Sequence, residues 1–358
     1  MYESESNVVT DALKAASPTV FSDNTISQIL ALTTKDNATT NFDTVTPDAE
    51  GNVTVAAGAE VVFVGSSDTA NTTIKPPVDA PVVIFQGKGG VTVNFEGSTT
   101  VPAGVAGTPD RIVVGSSGND SIALDDKNTK VILGTGNSTV QAGAGHDTIE
   151  AGLGNSTIVG GEGNHTTVKL SGGSSDYVVS VVDGHAVITH TAPAAGPAQG
   201  ATTAAATVST DVSHVQYIQL DNNEALIIAN DTKEAAVANL YHAAFGRDAD
   251  ASGIEFWFAA AKAGASLEQI AESFTVSAEF KALGEQTNAE FLASVYQNTF
   301  ARAGDDEGLA FWTDLLTNGH SRAEVLASFA NVAALNDAHE LTTEVEVVGS
   351  VTVAHGIV

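Results

Sequence analysis

The groups best able to do chemistry in this sequence are carboxylates. Asp248-Ala-Asp250-Ala-Ser252-Gly253 places two aspartates and a serine on alternate positions ahead of a glycine, the opening of an EF-hand loop. Calcium takes about six to eight oxygen ligands with carboxylates supplying the charge, so Asp248 and Asp250 are candidate metal ligands. The twelfth position is Ala259, however, where that loop needs a bidentate glutamate. The competing expectation is that Asp250 or Ser252 caps the helix carrying Trp257, with Asp305 doing the same in a second copy. Arg247 and Arg302 stand beside these acids as pairing partners. Two further aspartates, Asp120 and Asp147, occupy the same place in a glycine-rich repeat.

Other chemistries find little support. There is no cysteine, which excludes thiol catalysis, disulfides and zinc-thiolate sites. The nine histidines are scattered, and His185 and His190 lie five apart on one strand stretch, hence on opposite faces. No Gly-x-Ser-x-Gly, His-Glu-x-x-His or phosphate loop is present, and Gly87 to Gly90 (GKGG) reads as a turn between strands. The Asn-x-Ser/Thr triplets at Asn37, Asn52 and Asn71 reflect a composition rich in Asn and Thr. Fourteen Lys plus Arg against 43 Asp plus Glu give a net charge of −29, so no basic footprint exists for nucleic acid or anionic lipid. The chain is expected not to be an enzyme.

The elements that position these groups change along the chain. Residues 1–40 read as a short helical segment, with Val9, Leu13 and Ala16 on one face and Ile26, Ile29 and Leu30 on another. Residues 41–230 read as a β domain, in which VTVAAGAEVVFVG and APVVIFQGKGGVTVNFEG are Val-rich runs broken by Gly, Pro and Asp. Pro76, Pro77 and Pro81 mark a loop or sheet edge, and Ala192 to Ala206 has linker composition.

A nine-residue frame runs from Gly115 to Val168: GSSGNDSIA, LDDKNTKVI, LGTGNSTVQ, AGAGHDTIE, AGLGNSTIV and GGEGNHTTV. Eighth positions Ile122, Val131, Val140, Ile149, Ile158 and Thr167 are expected to point inward. Fourth positions are Gly except for Lys127, as a turn with positive φ favours. Two units make one coil, so each unit lies beside the next but one. Fifth positions are Asn except for His146, and stacked Asn side chains are expected to bond from coil to coil. Residues 231–340 are helical and duplicated at an offset of 55: Tyr241, Phe245, Arg247, Asp250, Gly253, Trp257 and Phe274 match Tyr296, Phe300, Arg302, Asp305, Gly308, Trp312 and Phe329. The fold class is therefore mainly β, a parallel β-roll or β-helix-like body, followed by an α-helical C-terminal domain.

The frame resembles the repeats-in-toxin family, whose unit is Gly-Gly-x-Gly-x-Asp-x-aliphatic-x. The helical part resembles domain of unknown function 4214, read at Tyr241, Gly246, Arg247, Asp250, Gly253 and Trp257 and again from Tyr296, with Ala301 in place of Gly246. The first resemblance implies calcium held by sixth-position aspartates. Here the sixth positions read Asp120, Thr129, Ser138, Asp147, Ser156 and His165, so no two adjacent coils supply a pair. A metal-independent roll held by Asn and Gly turns stands against calcium at Asp120 or Asp147. Proteins combining the two modules resemble type I secreted bacterial surface-layer proteins.

That resemblance implies a homo-oligomeric lattice on the bacterial outer membrane, exported by type I secretion machinery, with calcium within the chain or at subunit interfaces. The N-terminus has no basic or apolar signal segment, and residues 341–358 are a candidate secretion signal: Val347 to Val358 holds no Asp, Glu, Lys or Arg. Two other classes remain: a secreted adhesin or accessory protein whose Trp-bearing module binds a glycan or partner, and a secreted hydrolase. Binding by the tryptophans requires each to keep an exposed face, whereas burial of Trp257 against Phe274 and of Trp312 against Phe329 counts against it.

Overall fold

The computed structural model describes residues 2–5, 10–11, 13, 23–33, 39–95, 109–161, 163, 165–182, 185–191, 207–339, 345–348 and 351–354. They fall into two compact units, residues 1–170 with 187–215 and residues 171–186 with 216–358. The Ala192 to Ala206 linker lies outside the described residues, as do Val9 and Ala16.

The first unit opens with β1 (Tyr2–Glu5), helix α1 (Asp23–Thr33) and β2 (Thr39–Val45). It continues through β3 (Val61–Gly65), β4 (Thr72–Ile74), β5 (Val82–Gln86), β6 (Val91–Asn94) and β7 (Arg111–Val114). The repeat supplies β8 (Ser121–Ala123), β9 (Thr129–Ile132), β10 (Ser138–Gln141), β11 (Asp147–Glu150), β12 (Ser156–Val159) and β13 (Thr166–Lys169). Of the strands that follow, β14 (Tyr177–Val182) falls in the second unit, β15 (His185–Thr191) spans the boundary, and β16 (Thr207–Ser213) returns to the first. Strands of the repeat alternate between two parallel sheets. One runs β2-β3-β5-β7-β9-β11-β13, and the other runs β4-β6-β8-β10-β12-β16. The expected pairing of each unit with the next but one is observed: Ser138 pairs with Ser156, and Thr139 with Ser121. The stack also extends beyond the repeat on both sides, from Thr39 to Ser213. Its outer rungs are separated by intervals of other lengths, which no nine-residue period reports.

Burial explains the two textures of strand. Interior positions Ile122, Val131, Val140, Ile149 and Ile158 are all buried. In β10 and β12 the alternate residues face solvent, giving an in-out pattern. In β3, β5, β7 and β9 both faces are buried, because α1 lies on the outer face. There Ile26, Ile29 and Leu13 pack against Phe42, Phe63, Ile84 and Ile112. Strands covered on both faces read as unbroken apolar runs, as the Val-rich stretches do. Lys130, on that outer face, bonds Gln28 of α1 and pairs with Glu150 at 2.9 Å. The N-terminal segment is not wholly helical, since β1 pairs antiparallel with β2.

Two expectations about the frame need correction. It slips once: Asp147 pairs with Thr166 and Ile149 with Val168, one residue more than the 18-residue step elsewhere. The inward aliphatic of the last unit is therefore Val168, fully buried, and Thr167 is the residue beside it. His165 moves to the fifth place, its ring tilted against that of His146 with centroids 4.6 Å apart. The slip coincides with Gly163, whose φ is +90°. The second correction concerns the fourth-position glycines, for Gly118, Gly136, Gly145 and Gly154 do not have positive φ. They are needed for close approach: a Cβ on Gly136 would lie 2.1 Å from the Gly118 carbonyl oxygen, and one on Gly154 2.3 Å from that of Gly136. Second-position glycines meet the same limit, with 1.8 Å from Gly143 to the Asp125 carbonyl.

The second unit holds β17 (Tyr217–Gln219), β18 (Ala225–Ala229) and helices α2 (Thr232–Phe245), α3 (Ala251–Lys262), α4 (Leu267–Thr275) and α5 (Ala278–Ala282). After them come α6 (Asn288–Phe300), α7 (Asp306–Thr317), α8 (Arg322–His339), β19 (Val345–Val348) and β20 (Val351–Ala354). Strand β18 pairs antiparallel with β17 and parallel with β20, which makes a hairpin with β19. The candidate secretion signal thus includes two strands. Duplication extends to the caps. Ser266 exchanges bonds with Gln269 ahead of α4, and Ser321 with Glu324 ahead of α8.

Gly143→Ala puts a methyl group where the Asp125 carbonyl stands. It is expected to lower stability by at least about 1–3 kcal/mol, the usual cost of overpacking. Urea unfolding of the full chain followed by far-UV circular dichroism measures it.

Candidate functional site

The turns of the stack contain Asp120 and Asp147, and both carboxylates are buried. Asp147 sits at the start of β11. Its Oδ1 accepts from the Thr129 N–H at 2.9 Å, one rung earlier, and its Oδ2 accepts from the Gly143 N–H of its own turn at 3.0 Å. Asp120 does the same: Oδ1 accepts from the Val91 N–H, one rung earlier, at 3.0 Å and from the Ser116 hydroxyl at 2.6 Å. Ser138, also a sixth-position residue, accepts from the Asp120 N–H through its hydroxyl. The sixth side chains of Asp120, Ser138 and Asp147 therefore hold the preceding rung.

Fifth-position asparagines hold the following one. The Asn119, Asn137 and Asn128 side-chain oxygens accept from the N–H groups of Asn137, Asn155 and His146 at 2.8–2.9 Å. Asn155 continues the row by accepting from Ser209 in β16. The expected Asn stack is thus a ladder from side chain to backbone, rather than between side chains.

One residue absent from the sequence reading changes the electrostatics. Arg111 pairs with Thr129 in register, so it occupies a sixth position one rung before the frame begins. Its guanidinium is buried, donates two bonds to Asp125 at 2.8 and 2.9 Å and lies 4.4 Å from the Phe95 ring. Asp125 takes a second position where later units carry Gly. Counting the frame back from Thr129 would have found Arg111. A guanidinium here neutralises a turn carboxylate from within the fold.

As a cation site, the row is poorly supplied. Both Asp147 oxygens accept N–H groups, and the neighbouring sixth positions on its sheet, Thr129 and Thr166, bring no second carboxylate. Asp120 keeps one buried oxygen, Oδ2, without a hydrogen-bond partner, but Ser138 stands beside it on the next rung. The sixth-position residues present do not form the repeated carboxylate array that a run of calcium ions requires.

The Asp248–Asp250 loop divides its carboxylates between two tasks. Asp248 pairs with His242 Nε2 at 2.7 Å and accepts from the Ala225 N–H. Asp250 caps α3, its Oδ1 accepting from the Gly253 N–H at 2.8 Å and the Ser252 hydroxyl at 2.7 Å. Asp305 caps α7 through Gly308 in the same way. Capping is the role the structure gives Asp250 and Asp305.

The module's repeated residues now have physical reasons. The Tyr241 hydroxyl would lie 2.2 Å from a Cβ on Gly253, and that of Tyr296 2.3 Å from one on Gly308, so only Gly lets the tyrosine reach the capped helix end. Arg247 lies over Tyr241 and Phe245 at 5.3 and 5.6 Å, and Arg302 over Tyr296 and Phe300 at 5.6 and 5.7 Å. Gly246 ends α2 in the left-handed region, and Ala301 adopts the same conformation after α6. Trp257 and Trp312 pack against Phe274 and Phe329 at 5.4 and 5.0 Å, as expected, but they are half-buried rather than buried. Burial pushes the Tyr241 hydroxyl up to about 12.

The arginines pair differently from expectation. Arg247 makes two bonds of 2.8 Å to Glu279 rather than to the capping acids, whereas Arg302 has Asp305 at 3.6 Å. Glu279 escaped the sequence reading because its counterpart at the offset of 55 is Ala334. Around the first copy a pocket of about 310 Å³ is lined by Tyr241, Arg247, Asp250, Phe256, Trp257 and Glu279 among others.

Comparison with known families agrees with both resemblances. Residues 226–284 and 271–334 match the domain of unknown function DUF4214. Residues 132–164 match the RTX calcium-binding nonapeptide repeat (4 copies). The chain thus carries a duplicated DUF4214 domain and an RTX-like repeat, and the second match supports calcium as its cofactor. No curated protein and no solved structure matches the chain.

Asp147 generates a pH prediction. Burial pushes its carboxyl up to about 7, against the two N–H bonds that lower it. An unfolded aspartate ionises near about 3.9. Between about pH 4 and 7 the unfolded chain gives up a proton that the folded chain keeps, so this group's contribution to stability falls as pH rises. Below that window both states are protonated and the penalty vanishes; above it the penalty is complete, on the order of 4 kcal/mol. In chelator, the loss of stability from about pH 4.5 to 8 is expected to shrink in Asp147→Asn. Urea midpoints of both proteins across that range check it.

Proposed function

We propose that this chain is a structural subunit of a bacterial surface layer, sheath or filament that assembles with calcium. The observation that supports it best is the use made of the polar side chains. In the stack, the fifth- and sixth-position groups bond one rung to the next. In the helical unit, the repeated acids and arginines cap helices and clamp rings. Groups committed to holding backbone are unsuited to turnover, and neither matched family is described by an activity. On this reading the two parallel sheets close into a rigid β-roll, and lateral association of such bodies builds the assembly.

Calcium acts on this reading at the acidic exterior and at contacts between copies. A chain of net charge −29 repels its copies until divalent cations bridge them. The interior carboxylates, of which Asp147 has both oxygens occupied and Asp120 has no second carboxylate beside it, leave that role to the surface. The chain is exported by type I secretion, which reads the C-terminal segment, and is retained at the outer membrane surface.

Purified full-length protein is expected to form ordered arrays in millimolar calcium and to disperse in chelator, as seen by negative-stain electron microscopy and sedimentation. A monomer that persists throughout that calcium range would sink the proposal.

A further inference from the structure

The pocket of the first module copy is built unlike the same place in the second. Phe256 is 63% exposed on α3 and meets Trp257 edge to face at 4.7 Å. Phe311, its counterpart, is 56% exposed and meets Trp312 at 5.0 Å. Large exposed aromatic side chains at one slot of both copies are not needed by the core, which is already closed by Phe274 and Phe329.

Polar groups distinguish the copies. The first pocket adds Ser252, Ser277 and Glu279, whereas the corresponding positions in the second copy are Glu307, Val332 and Ala334. Glu279 holds Arg247 by two bonds against the Tyr241 and Phe245 rings, which fixes the guanidinium and satisfies its charge. Asp250 uses Oδ1 for its cap, and Oδ2 remains to accept.

We propose that this first-copy pocket binds a neutral saccharide. The ligand needs an apolar face to lie on one of the two perpendicular rings of Phe256 and Trp257 and hydroxyls to donate to Asp250 and Glu279; a pyranose has both. Anionic ligands are disfavoured because the fixed arginine is already neutralised and the chain carries −29. A pocket of about 310 Å³ is at the small end for ligand sites and suits one or two rings rather than a folded partner. Binding of this kind is independent of assembly, since it needs neither calcium nor a second copy.

The test uses the full chain carrying Trp312→Phe, so that Trp257 alone reports, in chelator, where the assembly proposal expects a dispersed protein. Maltotriose, cellotriose, triacetylchitotriose and choline chloride are titrated separately, and Trp257 fluorescence is read. At least one oligosaccharide is expected to give a saturable change. Phe256→Ala is expected to weaken it by up to about tenfold, the order of magnitude of one ring contact. Phe311→Ala is expected to leave it unchanged. The proposal is overturned by no saturable change with any of the three sugars up to about 10 mM, a range that covers weak single-site binding. It is equally overturned by a response to choline alone, or by a response that Phe256→Ala leaves intact. None of these results bears on whether the protein assembles in calcium.

Discussion

Everything in the β unit rests on how a turn hands backbone N–H groups to its neighbours. At several strand entrances N–H groups are satisfied by side chains beside a tight turn. The fifth side chain accepts from the rung that follows, as Asn137 does for Asn155, and the sixth accepts from the rung that precedes, as Asp147 does for Thr129. Opposed directions lock each rung to both neighbours. They also require turns to approach within backbone contact, which explains why Gly136, Gly145 and Gly154 carry no Cβ. A buried N–H without a partner would cost about 1–3 kcal/mol, so these bonds are obligations rather than embellishments.

The same constraint decides what the aspartates can do. A sixth-position carboxylate is a better acceptor than a hydroxyl, but burying it is costly, and burial is what pushes Asp147 up to about 7. Most sixth positions avoid that cost with Ser or Thr. Near the start of the odd-numbered strands, the chain places Arg111 and Asp125 together instead, a buried pair covered by Phe95. Breaking such a pair from one side leaves an uncompensated charge, so each partner holds the other in place. The stack thus carries its own cation where a turn carboxylate would otherwise stand alone.

Much of this was legible in the sequence, but unevenly. The two-unit step, the inward aliphatics and the Asp250 and Asp305 caps follow from spacing, because periodicity and capping are local rules. The slip at Gly163 was visible as the odd Thr167, yet a frame read without structure absorbs one exception. The rungs from Thr39 to Gln86 were hidden because their intervals differ, although the strands are the same, whereas Arg111 keeps the 18-residue step and was missed because its unit lacks the glycine turn. Glu279 was hidden for the opposite reason: comparing two copies reveals what they share, and Glu279 is where they differ.

Duplication in the helical unit separates scaffold from specialisation. The tyrosine over a glycine, the capping aspartate, the arginine on its two rings and the half-buried tryptophan recur because each is needed to set one helix end against the next. Once that frame is fixed, residues outside it can diverge without unfolding the module. Glu279 and Ala334 are such a pair: one clamps an arginine, the other leaves Arg302 to a 3.6 Å contact with Asp305. A chain that keeps two copies of one fold and alters the polar lining of only one retains the shared support in both and concentrates selectivity in the altered one.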